Sequence, residues 1–321
     1  MIMASESSQT ILIAGAGPMA IAYAKALQGQ KRKFIAVGRG EKSAQAFTEQ
    51  TGVPALTGGL DAWLAKRAEL PLTAIVAMPE MDLGQATLKL LGAGVRKVLV
   101  EKPGAFRPSE IRQVEETAKL KAAEVYVGYN RRFHASTQAA RRMIADDGGT
   151  SSFHFEFTEW GHVVEKKICP EGVHHEWFLH NSSHVVDLAF YLGGWPEEIS
   201  SYHAGKLPWH PRASKYAGAG RTREGALFSY HANWGAPGRW SVEILSSKNR
   251  YIFKPLEKLQ IQKLGSVAVE EVALEDALDK DFKPGVYRQV EAFLADDRKI
   301  LPTISEQISH LPIYEKMEDF G

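Results

Sequence analysis

The most constraining feature of the chain is a short apolar run, Ile11–Ala14, that ends in Gly15-Ala16-Gly17-Pro18-Met19-Ala20. Such a segment reads as a strand, a tight turn and the start of a helix. The first glycine permits the turn, the second lets a phosphate approach the backbone, and the small third residue lets the helix pack close to the strand. Pro18 suits a first helical turn, where its missing N–H is no loss. A helix over about 18–27 would aim free N–H groups and a partial positive charge at an anion. A glycine turn with no ligand has the same local pattern; the placement between strand and helix favours the ligand reading.

The pattern then repeats. Apolar strands are expected at 34–37, 73–78, 97–100 and 125–129, with helices at 43–51, 59–68, 82–91 and 108–122 between them. Gly52 is placed to stop a helix. Short apolar strands alternating with amphipathic helices imply an α/β fold, a doubly wound parallel sheet covered on both faces. Ligands of such sheets sit at the carboxyl ends of the strands. The turns at those ends are Gly15–Ala20, Gly38 and Arg39, Met78 and Pro79, 101–104 and 129–133.

After about Gly148 the reading becomes mostly β, with strands expected at 152–159, 199–204, 226–232, 240–246, 251–253 and 259–263 and helices at 183–192, 285–295 and 306–317. Alternating segments separated by turn residues predict an open, mostly antiparallel sheet in an α+β domain. The domains are set at 1–128 and 129–321. At 321 residues the chain is long enough for two cores. Lys and Arg number 39 against 38 Asp and Glu, without the basic excess of a nucleic-acid binder. No apolar run reaches the ~18 residues of a membrane span. The polar start, 1–10, does not read as a secretion signal, so the expected compartment is the cytoplasm. The single cysteine, Cys169, can form no intrachain disulfide and no Cys-rich metal site.

Three further motifs carry chemistry. The second strand ends Val37-Gly38-Arg39-Gly40, followed by Glu41, Lys42 and Ser43. An NAD site places Asp or Glu at such a strand end for the ribose 2′-OH. Arginine instead pairs with a 2′-phosphate, so NADP(H) is expected ahead of NAD(H). Glu101-Lys102-Pro103-Gly104 puts a lysine at a strand's carboxyl end, where a partly buried ammonium relays a proton; an exposed loop lysine is the bland alternative. The run 177–187 contains Trp177, His180, Asn181, His184 and Asp187. If the helix already includes His180, the two histidines share one face, and a histidine suits proton exchange with a substrate hydroxyl. Capping by His180, or a metal site with His174 and His175, competes with this reading; no HExxH occurs, and no metal is expected.

Together, Gly15-Ala16-Gly17-Pro18-Met19-Ala20, Glu101-Lys102-Pro103-Gly104, Gly128-Tyr129-Asn130-Arg131-Arg132-Phe133 and His184-x-x-Asp187 resemble the glucose–fructose oxidoreductase and inositol dehydrogenase (Gfo/Idh/MocA) family, in order along nearly the whole chain. The resemblance implies an N-terminal Rossmann domain and a C-terminal domain whose open sheet forms a homodimer or homotetramer interface. It implies that Lys102 is the catalytic lysine, that His184 is the active-site histidine, and that Asn130 lies near the nicotinamide. His180 stands where the family commonly carries Asp. That exchange reverses the local charge when the imidazole is protonated, and points to an anionic substrate or altered activity.

The expected function is hydride transfer between a sugar- or cyclitol-like hydroxyl, nucleotide sugars included, and nicotinamide. Lys102 and His184 are the expected catalytic residues, with His180 assisting. Gly15, Gly17, Pro18, Met19, Ala20, Gly38, Arg39, Met78, Pro79, Glu101, Lys102 and Asn130 are expected to bind the cofactor. Arg131, Arg132, Trp160, His162, Trp177, His180 and Asn181 are expected to meet the substrate, with Trp234 and Trp240 as further aromatic wall. Arg131, Arg132, Lys166, Lys167, Arg212 and Arg221 are either anion contacts or solvated charge. The alternative from another class is a non-catalytic dinucleotide-binding sensor of the same fold.

Overall fold

The structure, a computed structural model, describes residues 10–66, 69–297 and 299–318. The N-terminal stretch 1–9, read above as lacking a secretion signal, and residues 67–68, at the end of the helix expected over 59–68, lie outside the described residues. The chain divides into two compact units, Met1–Asn130 with Leu278–Ser309 and Arg131–Ala277 with His310–Gly321. The chain therefore passes from one unit to the other three times, after residues 130, 277 and 309, where the sequence suggested a single cut after 128.

The first unit holds a six-stranded sheet of β1 (Ile11–Ala14), β2 (Phe34–Val37), β3 (Ala55–Leu56), β4 (Thr73–Val76), β5 (Lys97–Glu101) and β6 (Glu124–Gly128). Its order is β3-β2-β1-β4-β5-β6 and every pairing is parallel. All residues of β1 and β4 are buried, as expected where helices cover both faces. The helices are α1 (Pro18–Gly29), α2 (Glu41–Thr51), α3 (Gly59–Lys66), α4 (Leu83–Ala93) and α5 (Pro108–Leu120). Gly52 closes α2 in the left-handed region, at φ 71°.

The second unit begins with α6 (Ala135–Asp146). The buried face of α6 is Ala135, Ser136, Thr137, Ala140 and Ile144, too small and polar to show as an apolar stripe, and the helix was not expected. Then come β7 (Ser152–Glu156), α7 (Gly161–Val164), α8 (Ser183–Gly193), β8 (Pro196–Ala204), β9 (Lys215–Thr222), β10 (Leu227–Asn233), β11 (Ser241–Leu245), β12 (Asn249–Phe253), β13 (Gln260–Lys263) and β14 (Val269–Glu271). They form one eight-stranded sheet, β14-β13-β12-β11-β7-β10-β9-β8, antiparallel except between β7 and β10. Every residue of α8 but Tyr191 is buried. Its Phe190 ring meets Phe153, Phe155 and Phe228 edge-on at 5.3–6.1 Å, and such buried aromatics carry much of a core's energy.

The strand β9, which carries Gly218 and Gly220, was not expected. Across the sheet they face Tyr230 and Phe228: a Cβ at Gly218 would lie 2.3 Å from the Tyr230 ring, and one at Gly220 2.6 Å from Phe228. The glycines make room for the rings, a reason visible only with β10 in place.

The remaining helices are α9 (Ala277–Asp281), α10 (Val286–Leu294) and α11 (Ile304–Met317). The chain returns to the first unit because α10 packs on α1. The Gln289 side-chain amide lies 3.1 Å from the Tyr23 hydroxyl, and the Val127 N–H donates to Pro302 O at 2.8 Å.

Asp147, after α6, fixes the β11–β12 turn by accepting hydrogen bonds from Ser246, Tyr251 and Asn249 at 2.6–2.7 Å. Burial pushes its carboxyl up, but these bonds outweigh it and pull it down to about 2, from an ordinary 3.8. The carboxylate therefore stabilises the fold above pH ~4 and loses that effect as pH falls through the folded value. Asp147→Asn is expected to be less stable than the parent near pH 7. The deficit should shrink between pH 4 and 2, read by urea denaturation at each pH; a constant deficit would show that ionisation of Asp147 is not involved.

Candidate functional site

In the first unit the glycine turn joins β1 to α1. Gly15 has φ 133°, and a Cβ there would sit 2.1 Å from Ala77 O, so the turn end of β4 demands glycine. A Cβ on Gly38 would lie 2.7 Å from the Ala16 Cβ, so β2 can run beside the turn only with glycine there. At Gly17 a Cβ would meet no atom within 4 Å. Glycine at this position leaves space open over the backbone at the start of a 12-residue helix whose first N–H groups lack intrahelical partners. An open cradle at a helix N-terminus suits a pyrophosphate.

The other strand-end residues follow their strands at the same edge of the parallel sheet. Arg39 follows β2 with 78% of its side chain exposed, 3.9 Å from Asp82. Ser43 donates its hydroxyl to Gly40 O at 3.0 Å. Met78 is half-buried and Pro79 exposed after β4. The strand β5 ends in Glu101, whose buried carboxylate accepts from Tyr23 Oη at 2.5 Å. Burial raises the Glu101 carboxyl; the Tyr23 bond and the Lys102 and Lys283 ammoniums oppose the rise. Lys102 is thus half-buried within electrostatic reach of a buried acid. The Lys102–Pro103 peptide is cis. Asn130 donates through Nδ2 to Pro284 O at 2.9 Å.

In the second unit, His180 and His184 do not share the expected α-helical spacing. Phe178–Ser182 form a π-type turn and the α-helix begins at Ser183, so the i,i+4 relation does not govern the pair. π-type turns recur at functional sites. Both imidazoles are buried, His184 at 9% exposure, and its ring centroid lies 6.3 Å from Trp240.

Arg132 does not stand as a substrate contact. Its guanidinium is 6% exposed and binds Asp187 in a two-point pair, Nε to Oδ2 at 2.8 Å and Nη2 to Oδ1 at 2.5 Å, while stacking on Tyr191. Burial alone would release its proton more readily; Asp187 reverses the effect and raises the group above its ordinary value. Arg212 pairs with Glu176, and Arg221 with Glu197 and Glu198, so neither is a dedicated anion contact. Trp177 is 6% exposed, packed edge-on against Trp209 and covered by Lys167, a core position. Arg131 remains a candidate, 4.8 Å above the Trp240 ring.

Glu159 was missed. It is 1% exposed, and its Oε1 accepts from Ser182 Oγ at 2.8 Å, Asn181 Nδ2 at 2.9 Å and Trp240 Nε1 at 3.3 Å. Arg239 lies 3.7 Å from Oε2. Burial pushes this carboxyl up, with the bonds from Ser182 and Asn181 and the Arg239 charge pulling it back. Glu159 therefore ties the turn before His184 to the indole that packs on His184. The only sequence signal was an acid at the end of an apolar strand.

Trp160, half exposed, and His162 line a cavity of about 490 Å³ within this unit, together with Trp209 and Trp234. Among the described residues no group of three or more His, Cys, Asp or Glu is placed to hold a metal ion.

The strand order 3-2-1-4-5-6 with a glycine turn after the first strand defines the first unit as a Rossmann dinucleotide fold. Comparison agrees: residues 9–129 match the model of the GFO_IDH_MocA oxidoreductase family, NAD-binding Rossmann fold. No curated protein matches the chain in sequence. Among solved structures, levoglucosan dehydrogenase in complex with NADH and levoglucosan is similar with a TM-score of 0.76 and 16% identity, over 97% of this chain and 96% of that one. The UDP-N-acetylglucosamine 3-dehydrogenase of Acidithiobacillus ferrooxidans is similar at 0.73 and 16%, over 99% and 97%. The WlbA dehydrogenase of Bordetella pertussis, in complex with NADH and UDP-GlcNAcA, is similar at 0.72 and 18%, over 97% and 95%. At these identities the likeness establishes the fold across both units.

Proposed function

We propose that the protein is an NAD(P)-dependent dehydrogenase or reductase of a sugar- or cyclitol-like hydroxyl or carbonyl. The observation that carries this reading is the open cradle at Gly17 on the start of α1, in a chain where Lys102 directly follows β5 and its buried last residue, Glu101. The similar structures that hold NADH with a sugar or nucleotide sugar support the substrate class.

Gly15, Gly17, Pro18, Met19 and Ala20 would hold the pyrophosphate, Gly38 and Arg39 the adenosine ribose, and Met78, Pro79, Glu101, Lys102 and Asn130 the nicotinamide half. When bound, the nicotinamide supplies the hydride acceptor or donor. Lys102 places positive charge at the reacting oxygen and passes a proton; His184 serves as general acid or base, with His180 assisting. Arg131 and Asn181 contact the substrate. The exposed side of the eight-stranded sheet, which carries Tyr202 and Leu227, joins copies into a dimer or tetramer. None of the described helices is long and apolar enough to cross a membrane, and the cytoplasm is the compartment we propose.

NADP(H) is preferred because no acid ends β2 and Arg39 is exposed there to meet a 2′-phosphate. The test follows NADPH and NADH absorbance across sugars, cyclitols and nucleotide sugars, with dinucleotide binding measured in parallel. Turnover of at least one compound is expected. In Arg39→Ala the KM for NADP(H) should rise roughly tenfold, the size of one charge-assisted bond, with NAD(H) little changed. Tighter binding of NAD(H) by the parent would end the preference; binding with no turnover would favour the sensor.

A further inference from the structure

The 490 Å³ cavity of the second unit is built from three segments: Trp160, Gly161, His162 and Glu165; Leu207 and Trp209; and Trp234 with Gly235, Ala236, Pro237 and Gly238. Its walls are fixed. A Cβ on Gly161 would lie 2.3 Å from Trp234 O, so glycine lets the first and third segments touch. The Trp160 indole N–H donates to Gly238 O at 3.0 Å, and that of Trp234 donates to Phe157 O at 3.1 Å. Trp209 and Trp234 stack within 3° of parallel. Trp160 nevertheless stays half exposed, a large apolar face held rigid at a pocket wall.

The chemistry of these walls selects a ligand. Indole faces suit a ring with an apolar C–H surface, and a few polar groups around an apolar pocket set orientation. The polar side chains here are Glu165 and His162. An ionised carboxylate only accepts hydrogen bonds, so Glu165 suits a rim of hydroxyl donors and opposes an anion. The nearby cation, Arg239, stacks on Trp160 and Trp240 at 5.0 and 4.8 Å and faces Glu159, so its charge is already offset. A pyranose ring without charge meets all of these conditions; a nucleotide base would stack equally well but bring its phosphate towards Glu165.

Neither Lys102 nor His180 nor His184 is among the residues lining the cavity. We propose that it is a subsite for a neutral pyranose ring stacked on Trp160, so that the substrate is a glycoside of at least two rings, one held here while another reacts. The two-ring substrate rests on the dehydrogenase reading; binding of the ring does not. Energy from the remote ring would then be available to the reacting one.

The test is calorimetric titration of the full chain, without dinucleotide, using the methyl α- and β-pyranosides of glucose, galactose and mannose. Glucuronate and uridine monophosphate serve as counter-probes. At least one methyl pyranoside should bind. Trp160→Ala should weaken it about tenfold, the scale of one lost aromatic stacking contact, with an unchanged melting curve, and Trp160→Phe should restore most of the affinity. Absence of binding by every pyranoside, equal binding by Trp160→Ala, or binding of uridine monophosphate that depends on Trp160 would each overturn the subsite. A protein that binds the pyranoside but turns over nothing loses the dehydrogenase reading and keeps the subsite; an active protein that binds none loses the subsite alone.

Discussion

Replacement of Lys102 by Met is expected to lower turnover by about 10²–10⁴-fold, the range of a lost general acid or base, while dinucleotide still binds. Methionine keeps an unbranched, flexible stem in the half-buried position at the end of β5 and removes only the ammonium. The charge that opposes ionisation loss at Glu101 disappears with it, so the Glu101 carboxyl should rise further. That acid still holds its bond from Tyr23, and the glycine turn lies on another strand. Dinucleotide affinity by fluorescence should therefore stay within about threefold of the parent, well under one kcal/mol. Turnover near the parent's would remove Lys102 from the reaction. A parallel loss of affinity would make holding the nicotinamide half its main role.

The second large effect is on stability. Asp187→Ala leaves the Arg132 guanidinium, 6% exposed, without the carboxylate that binds it at two points. Removing one partner of a buried pair costs about 3–5 kcal/mol. Replacing both members with apolar residues of similar size costs far less, because no uncompensated charge is buried. Denaturant melts should thus place Asp187→Ala well below the parent, and Arg132→Met with Asp187→Leu much nearer to it. If the double variant is as unstable as the single one, packing rather than charge governs the site. The pair ties the segment after β6 to α8, three residues beyond His184, so its loss should also loosen the helix that presents the imidazole.

The fate of Arg132 shows where a local reading ends. In the sequence it follows Asn130 and Arg131 and reads as one of a row of cations near the ligand. That Arg132 is neutralised depends on a partner 55 positions away. Trp177 and Trp160 teach the same lesson: equal as residue types, they separate into a core ring and a pocket wall only when Trp209 and Lys167 are in place. Glu159 was missed because its role comes from Asn181 and Ser182, in one turn, and from Trp240, 81 positions further along the chain.

Five strands of the parallel sheet and its glycine turn were readable from residue order alone, because the patterns that mark them span a few neighbours; the two-residue edge strand β3 was not. Alternating apolar strands and helices and a Pro at a helix start leave one kind of layer arrangement. The strand β9, the helix α6 and the return of α10 to the first unit were decided by tertiary structure. There the stabilising contacts join residues far apart in the chain, such as Gly218 under Tyr230 and Gln289 beside Tyr23. Local propensity holds no record of such partners, since burial and charge compensation exist only once distant segments have met.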